Sequence, residues 1–441
     1  MRSPRLHALL SSVAAALALA TALAVPSSAS VRADARQAAP SGAAQAAGHG
    51  SKGWTGTWAT SPQGPLVFFP GAPSNWSLTG FSGETVRQVV RISVGGALAR
   101  VRLSNRYGSQ PLRVAGATVA KAGDGAAILP GTVRPLRFGR SASTTIPAGA
   151  DATSEPVALA TAPLDRLTVT LYFAEPTGPT TFHYTGLTTT YRAAGDHRFD
   201  RGAAAFAGET SQSWYYLTGV DVLGGPRPAK GAVVAFGDSI TDGADSTVGA
   251  DNRYPDELAE RLVAARKRIG VLNAGIGGNM VLTDSPCYAG YAGVNRFAAD
   301  ALDLPGVRTA IVLEGINDIG SAGYDLGCGP HPAVTYEQLV EGYRTLIRAA
   351  HARGVKIIGA TMTPLKGADF YDTPENDALR KRLNDWIRTS GEFDLVVDLD
   401  RALGDPGDRD RLYPPYASPD KIHPNDAGMR AIAEAVDLST L

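Results

Sequence analysis

Of the chain's seven histidines, His423 alone has a carboxylate, Asp420, three residues upstream. A serine hydroxyl is a weak nucleophile until a base takes its proton, and an imidazole serves as that base when a third group holds it. A short turn before the last helical stretch lets Asp420 meet one imidazole nitrogen and leaves the other for a hydroxyl. Ser239 is the hydroxyl that fits. It lies in Ala232–Asp242 (AVVAFGDSITD), where an apolar run passes into Gly237-Asp238-Ser239. That pattern reads as a buried strand ending in a tight turn, and α/β sheets bind ligands at the carboxyl ends of their strands. Taken singly, each piece has an ordinary alternative. Gly-Asp-Ser turns are common, and an Asp-x-x-His pair also serves as a loop brace or a helix cap.

Two further stretches follow strand-like runs and should open on the same sheet edge as Ser239. They are Asn273–Asn279 (NAGIGGN), after Gly270-Val271-Leu272, and Gly315-Ile316-Asn317-Asp318, after Thr309–Leu313. With Asp420-Lys421-Ile422-His423-Pro424 they make four ordered blocks, and in this the chain resembles the SGNH (GDSL-type) hydrolases. The resemblance covers roughly Gly231 to the end. It implies Ser239 as nucleophile, His423 as base and Asp420 as the group that orients it. It also implies an oxyanion hole formed by the backbone N–H groups of Ser239 and Gly278 and the side-chain amide of Asn317. Asn279 fits the family's glycine block. Asp238, Asp318 and Asn273 read as braces for loop backbone, and nothing in the sequence places Glu314.

Other chemistries lack their signatures. Ser239 is not in a Gly-x-Ser-x-Gly elbow. No His/Cys/carboxylate spacing matches a zinc site, and no glycine-rich loop has the form that binds a dinucleotide or phosphate. The reading is a serine esterase without metal or cofactor, acting on lipid or small acyl esters or on acetylated polysaccharide. The alternative is a secreted carbohydrate-binding protein with an inactive hydrolase fold.

The elements that must position these residues follow from the rest of the chain. With 441 residues, 44% hydrophobic, it has material for two domains. Its 42 basic and 42 acidic residues balance, which argues against nucleic-acid binding or charge-held membrane attachment. Residues 1–30 have a basic start, an apolar Ala/Leu run and small residues after Pro26, the form of a secretory signal peptide; an uncleaved anchor is the alternative. Residues 31–52, rich in Ala, Gly, Gln and Ser, read as a disordered linker. The expectation is export, with no stable membrane insertion after processing.

Residues 53–225 show short alternating stretches, among them Thr85–Val94, Ala99–Ser104 and Leu167–Phe173, and no amphipathic helix. Period-two alternation marks half-buried strands, and their spacing suggests an all-β, jelly-roll-like sandwich. Trp54, Trp58, Trp76 and Trp214 fall in this region, either as a sugar-stacking platform for glycan contact or as packing. From 226 to 441 strands alternate with helices. The strands are read at Ala232–Phe236, Val271–Ala274, Arg308–Leu313, Val355–Ala360 and Asp394–Val397. Helices are read at Tyr254–Arg268, Val294–Leu302, Tyr336–Ala352, Glu375–Ser390 and Asp426–Ala435. That alternation gives a parallel α/β sheet with right-handed crossovers; the resemblance adds a flavodoxin-like strand order.

Cys287 and Cys328 are the only cysteines. In an exported chain an even pair is expected to bond. Each lies just beyond one of the implied oxyanion donors, so a bond would tie the Gly278 and Asn317 loops. On the chain-entropy account, closing a loop of about 40 residues stabilises the fold by roughly 4 kcal/mol.

Overall fold

The computed structural model describes residues 53–66, 75–325 and 327–441. The expected signal peptide and linker, residues 1–52, lie outside them. No helix among the described residues is long and apolar enough to cross a membrane.

Residues 232 onward build a five-stranded sheet in which every pairing is parallel. Its strands are Ala232–Gly237, Gly270–Gly275, Val307–Leu313, Lys356–Ala360 and Leu395–Val397. Counted along the chain, their order across the sheet is second, first, third, fourth, fifth. The strand leading to Ser239 is therefore flanked by the strands leading to Gly278 and Asn317. Gly237 pairs with Gly275 on one side and Leu313 on the other, so all three loops leave the sheet at one level. Alternate residues feed two cores. Val234, Phe236, Ala274 and Val312 enter one, and Val233, Ala235, Ile311 and Leu313 enter the other. Burial on both faces explains why these strands read as continuous apolar runs.

The helices fall where the periodicity puts them, with shifted ends: Tyr254–Ala264, Tyr336–His351, Pro374–Thr389 and Asp426–Ala435. Thr335 opens the second with a capping box completed by Gln338. The expected Val294–Leu302 helix divides into an α-helical Gly293–Phe297 and a π-helical Ala298–Leu302.

Residues 53–223 form two large antiparallel sheets and two small two-stranded ones. One large sheet is centred on Glu84–Arg91 and Arg166–Phe173, the other on Leu98–Ser104 and Leu217–Leu223. Val86, Val119 and Leu171 from the first share a core with Val101, Leu103 and Val220 from the second. Trp54, Trp58, Trp76 and Trp214 are all buried, so the packing alternative holds and they offer no exposed platform. Trp58 and Trp214 meet edge to face, their centroids 4.8 Å apart.

The two regions share an extensive junction. Gly56 N–H donates to Pro305 O at 2.7 Å, and the Val271 N–H donates to Ser93 Oγ at 2.8 Å. The strand Thr55–Ala59 thereby covers Gly270–Gly275, which would otherwise be a bare sheet edge.

Candidate active site

Ser239 opens a single helical turn, Ser239–Asp242, directly after the central strand. Asp238 caps that turn, its carboxylate accepting the Ile240 N–H at 2.9 Å. A Cβ on Gly237 would lie 2.1 Å from Leu313 O and 2.3 Å from Thr241 Oγ1. Only glycine lets the turn fold so tightly.

Ser239 Oγ lies 2.8 Å from His423 Nε2, although 184 residues separate them. On the other side of the ring, His423 Nδ1 donates to Asp420 Oδ2 at 2.5 Å. The second Asp420 oxygen accepts the N–H groups of Ile422 and His423, both at 3.1 Å. Lys421, between them, takes φ +62°, a left-handed conformation uncommon for a side chain of this kind. That strained residue folds Asp420 back onto His423 within one short loop. Burial works against the imidazolium, but the bond and charge of Asp420, with Asp245 and Asp238 adding to them, hold the His423 pKa above its ordinary value. Burial likewise opposes the Asp420 carboxylate, yet His423 and the two N–H donors keep its pKa below the usual range.

The Ser239 and Gly278 N–H groups donate to no protein acceptor among the described residues. Gly278 takes φ +74°, and a Cβ there would sit 2.3 Å from the Tyr288 ring, so conformation and crowding both call for glycine. Asn317 is buried on the turn Ile316–Gly320. Its Nδ2 donates to Asn279 O at 2.9 Å, and its Oδ1 accepts the Tyr371 hydroxyl at 2.6 Å. With the oxygen taken by Tyr371 and one N–H by Asn279, a second amide N–H remains to donate elsewhere.

The braces are those the sequence suggests. Asp318 accepts Val281 and Leu282 N–H at 2.7 and 3.0 Å, tying the third block to the second. Burial pushes its pKa up to about 7, against those two donors. Asn273 accepts Gly275 N–H and donates to Thr241 O, both at 2.9 Å. Glu314 is buried, its oxygens without hydrogen bonds among the described residues and Arg296 3.5 Å away. Burial, then Asp238, drives its pKa well upward while Arg296 opposes.

Four residues in this framework were not singled out by the sequence. Arg296 is buried and donates to Gly237 O (2.8 Å), Ala274 O (2.7 Å) and Asn279 Oδ1 (2.7 Å), which fastens the ends of two strands to the glycine loop. Tyr371 orients Asn317. Asp242 and His183 join the Ser239 turn to the β-rich region. Each is an isolated residue in an ordinary local pattern, without a motif to mark it. Beyond Tyr371 the rings of Phe370 and Tyr324 follow at successive centroid distances of 4.7 and 4.6 Å, and both are exposed.

Cys287 and Cys328 are bonded, with Cα atoms 5.8 Å apart. The bond joins the segments that follow Gly278 and Asn317. Among the described residues one grouping, Asp245, Asp420 and His423, has its ligand atoms close enough together to hold a cation. His423 and Asp420 are already engaged with one another and with Ser239, so a cation there would compete with those bonds.

Residues 235–431 match the GDSL-like Lipase/Acylhydrolase family. That stretch holds Ser239, Gly278, Asn317, Asp420 and His423, and ester hydrolysis is the reaction class of the family it matches. No curated protein matches the chain. Solved structures similar to it include a lipase/acylhydrolase from Enterococcus faecalis, 21% identical, covering 46% of this chain and 92% of its own at a TM-score of 0.36. The acetylxylan esterase Axe2 from Geobacillus stearothermophilus is 23% identical, covering 47% of this chain and 92% of its own, also at 0.36.

Proposed function

We propose that the protein is a secreted serine esterase that works through an acyl-enzyme. Its hydrolase region is read as flavodoxin-like, 226–441, preceded by a jelly-roll-like β region, 53–225. The observation that carries the reading is the continuous line from Asp420 through His423 to Ser239, at 2.5 and 2.8 Å. Ser239 Oγ forms a bond to the acyl carbon as its proton passes to His423 Nε2, and the carbonyl oxygen becomes an oxyanion. The N–H groups of Ser239, Gly278 and Asn317 are the donors available to that charge. Collapse breaks the ester C–O bond, and the leaving alcohol takes the proton from Nε2. Water then attacks the acyl-enzyme, giving its proton to Nε2, and the acid departs with Ser239 restored.

Asp420 holds Nδ1 protonated throughout, which leaves Nε2 free to accept. The exposed Tyr324 and Phe370 rings offer an apolar face that an acyl chain or a sugar ring can cover. Two substrate classes follow: lipid or small acyl esters, and acetylated polysaccharide.

p-Nitrophenyl esters of increasing chain length, set beside acetate release from acetylated xylan, test the reading and divide its two branches. Turnover of one series supports it, with or without chelator present. Absence of turnover on both, with glycan binding retained, would instead favour the carbohydrate-binding alternative. Loss on chelation that is restored by a metal would overturn the metal-independent mechanism.

A further inference from the structure

A second histidine–aspartate pair touches the same helical turn as the first. His183 belongs to the β-rich region, on the two-residue strand Phe182–His183, which pairs with Trp214–Tyr215. Its Nδ1 lies 2.8 Å from Ser61 O and its Nε2 3.0 Å from Asp242 Oδ1. The His183 and Asp242 side chains are 2% and 3% exposed. The Trp214 ring stacks on the imidazole at 5.6 Å, which fixes its plane.

Asp242 is three residues past Ser239, in the same turn, and its N–H donates to Asp238 O at 2.9 Å. Its other carboxylate oxygen, Oδ2, accepts the Gly277 N–H at 3.0 Å. One side chain therefore spans from the nucleophile's turn to the residue before Gly278. The loop it holds contains two consecutive glycines, and the backbone bond across them runs from Asn279 N–H to Ile276 O at 3.1 Å. Glycine pairs do not determine their own conformation, so the direction of the Gly278 N–H depends on outside bonds. A carboxylate on one helical turn can supply such a bond only while its own rotamer is held.

We infer that His183 is a positioning residue for the ester-cleaving site, supplied by the β-rich region: it locks the Asp242 carboxylate, which in turn aims the Gly277–Gly278 peptide at the developing oxyanion. The inference rests on the reading of Gly278 as an oxyanion donor. It gives the β-rich region a part in the chemistry that a detachable sugar-binding module would not have. His183 itself exchanges no proton with substrate, because neither of its nitrogens meets a hydroxyl and both are enclosed within the protein. The effect comes through geometry, where a displacement of about 1 Å can cost as much as roughly 10²-fold in rate.

Two substitutions in the full chain separate positioning from mere support. His183→Asn sets a donor near the Nδ1 position, retaining Ser61 O, but falls short of Asp242. His183→Gln extends to Asp242 and gives up Ser61 O. The readouts are kcat and KM on p-nitrophenyl acetate, thermal unfolding, and amide hydrogen exchange across residues 275–281. For Asn the expected result is a kcat lowered by roughly tenfold or more, KM within about twofold, and faster exchange in 275–281; for Gln, kcat stays within about threefold of the parent. Equal losses in both variants that track their melting temperatures would overturn the inference and leave a structural contact. So would an Asn variant unchanged in kcat and exchange. Should the Asn variant not fold, the parent decides: a Gly277 amide that exchanges like a free one refutes the strut, and a protected one, with Gln near parental kcat, supports it. If the parent turns over no ester, the Ser239 reading fails by itself. The exchange comparison then tests the strut alone, upheld by faster exchange in Asn and sunk by no change.

Discussion

The turn Ser239–Asp242 is gripped at both ends by a histidine–aspartate pair, and on the proposed reading the two pairs serve opposite purposes. At its first residue His423 points Nε2 at a hydroxyl, in a half-buried position, with a carboxylate on Nδ1. At its last residue His183 faces a carbonyl on one side and a carboxylate on the other, almost wholly enclosed. A ring enclosed between a carbonyl and a carboxylate meets no hydroxyl whose proton it could take. A ring with a hydroxyl on one nitrogen can take that proton. The residue types are the same, and what the second nitrogen meets decides between base and strut. The source of the partner differs too. Asp420 is local, folded back by the strained Lys421, whereas Asp242 reaches His183 across the junction between the two regions.

The sharpest way to break this contrast is to spoil the first pair alone. Asp420→Asn should lower kcat by about 10⁴-fold, because an amide no longer fixes the tautomer or steadies the imidazolium. A loss of tenfold or less, in a variant that still melts like the parent, would mean that His423 is oriented by something else.

The same pair predicts a pH profile. On the proposed mechanism His423 must be neutral to accept the Ser239 proton, and its pKa is held above the ordinary value of roughly 6.5 by Asp420, Asp245 and Asp238 against burial. Activity should therefore fall as pH drops through a one-proton acid limb centred above that value. The linked stability runs the other way: a raised histidine pKa contributes stability present below the unfolded value and lost as pH rises through the folded one. In Asp420→Asn, burial is left with less opposition, and the acid limb should move down. A limb that stays put would assign it to another group.

Asn317→Ala comes next, with kcat expected to fall by roughly 10² to 10³ if its free N–H serves the oxyanion. An effect confined to KM would make it a substrate-binding residue instead. Tyr371→Phe sharpens the point by removing only the hydroxyl that donates to Asn317 Oδ1. Its expected cost is smaller, about tenfold in kcat with KM little changed, since the amide remains but loses its orientation. A parental kcat would show that Asn279 alone orients Asn317.

How much of this was legible beforehand follows the range of the contacts. Asp420 and His423 are three residues apart, and the Ser239, Gly278 and Asn317 blocks each follow a strand whose continuous apolar run is plain in the sequence. Periodicity therefore placed five strands and most helices to within a few residues. The turns Ser239–Asp242 and Ile316–Gly320 span less than two helical repeats and left no period to read. Asp242, His183, Arg296 and Tyr371 act through partners far along the chain: 59 residues between His183 and Asp242, 54 between Tyr371 and Asn317. No local pattern announces such a contact. The tryptophans were legible by type alone, since tryptophan is usually buried, and their burial bears out packing over a sugar platform.

The central claim is that Ser239 is the residue that bonds to the acyl group. The most direct measurement is peptide mapping by mass spectrometry after treating the full chain with a fluorophosphonate, which forms a stable adduct only with an activated serine. The account predicts one adduct, on the peptide containing Ser239, abolished in Ser239→Ala together with ester turnover and nearly abolished in His423→Ala. A Ser239 left unmodified while esterase activity disappears, or a Ser239→Ala variant that keeps turnover within tenfold of the parent, would contradict it.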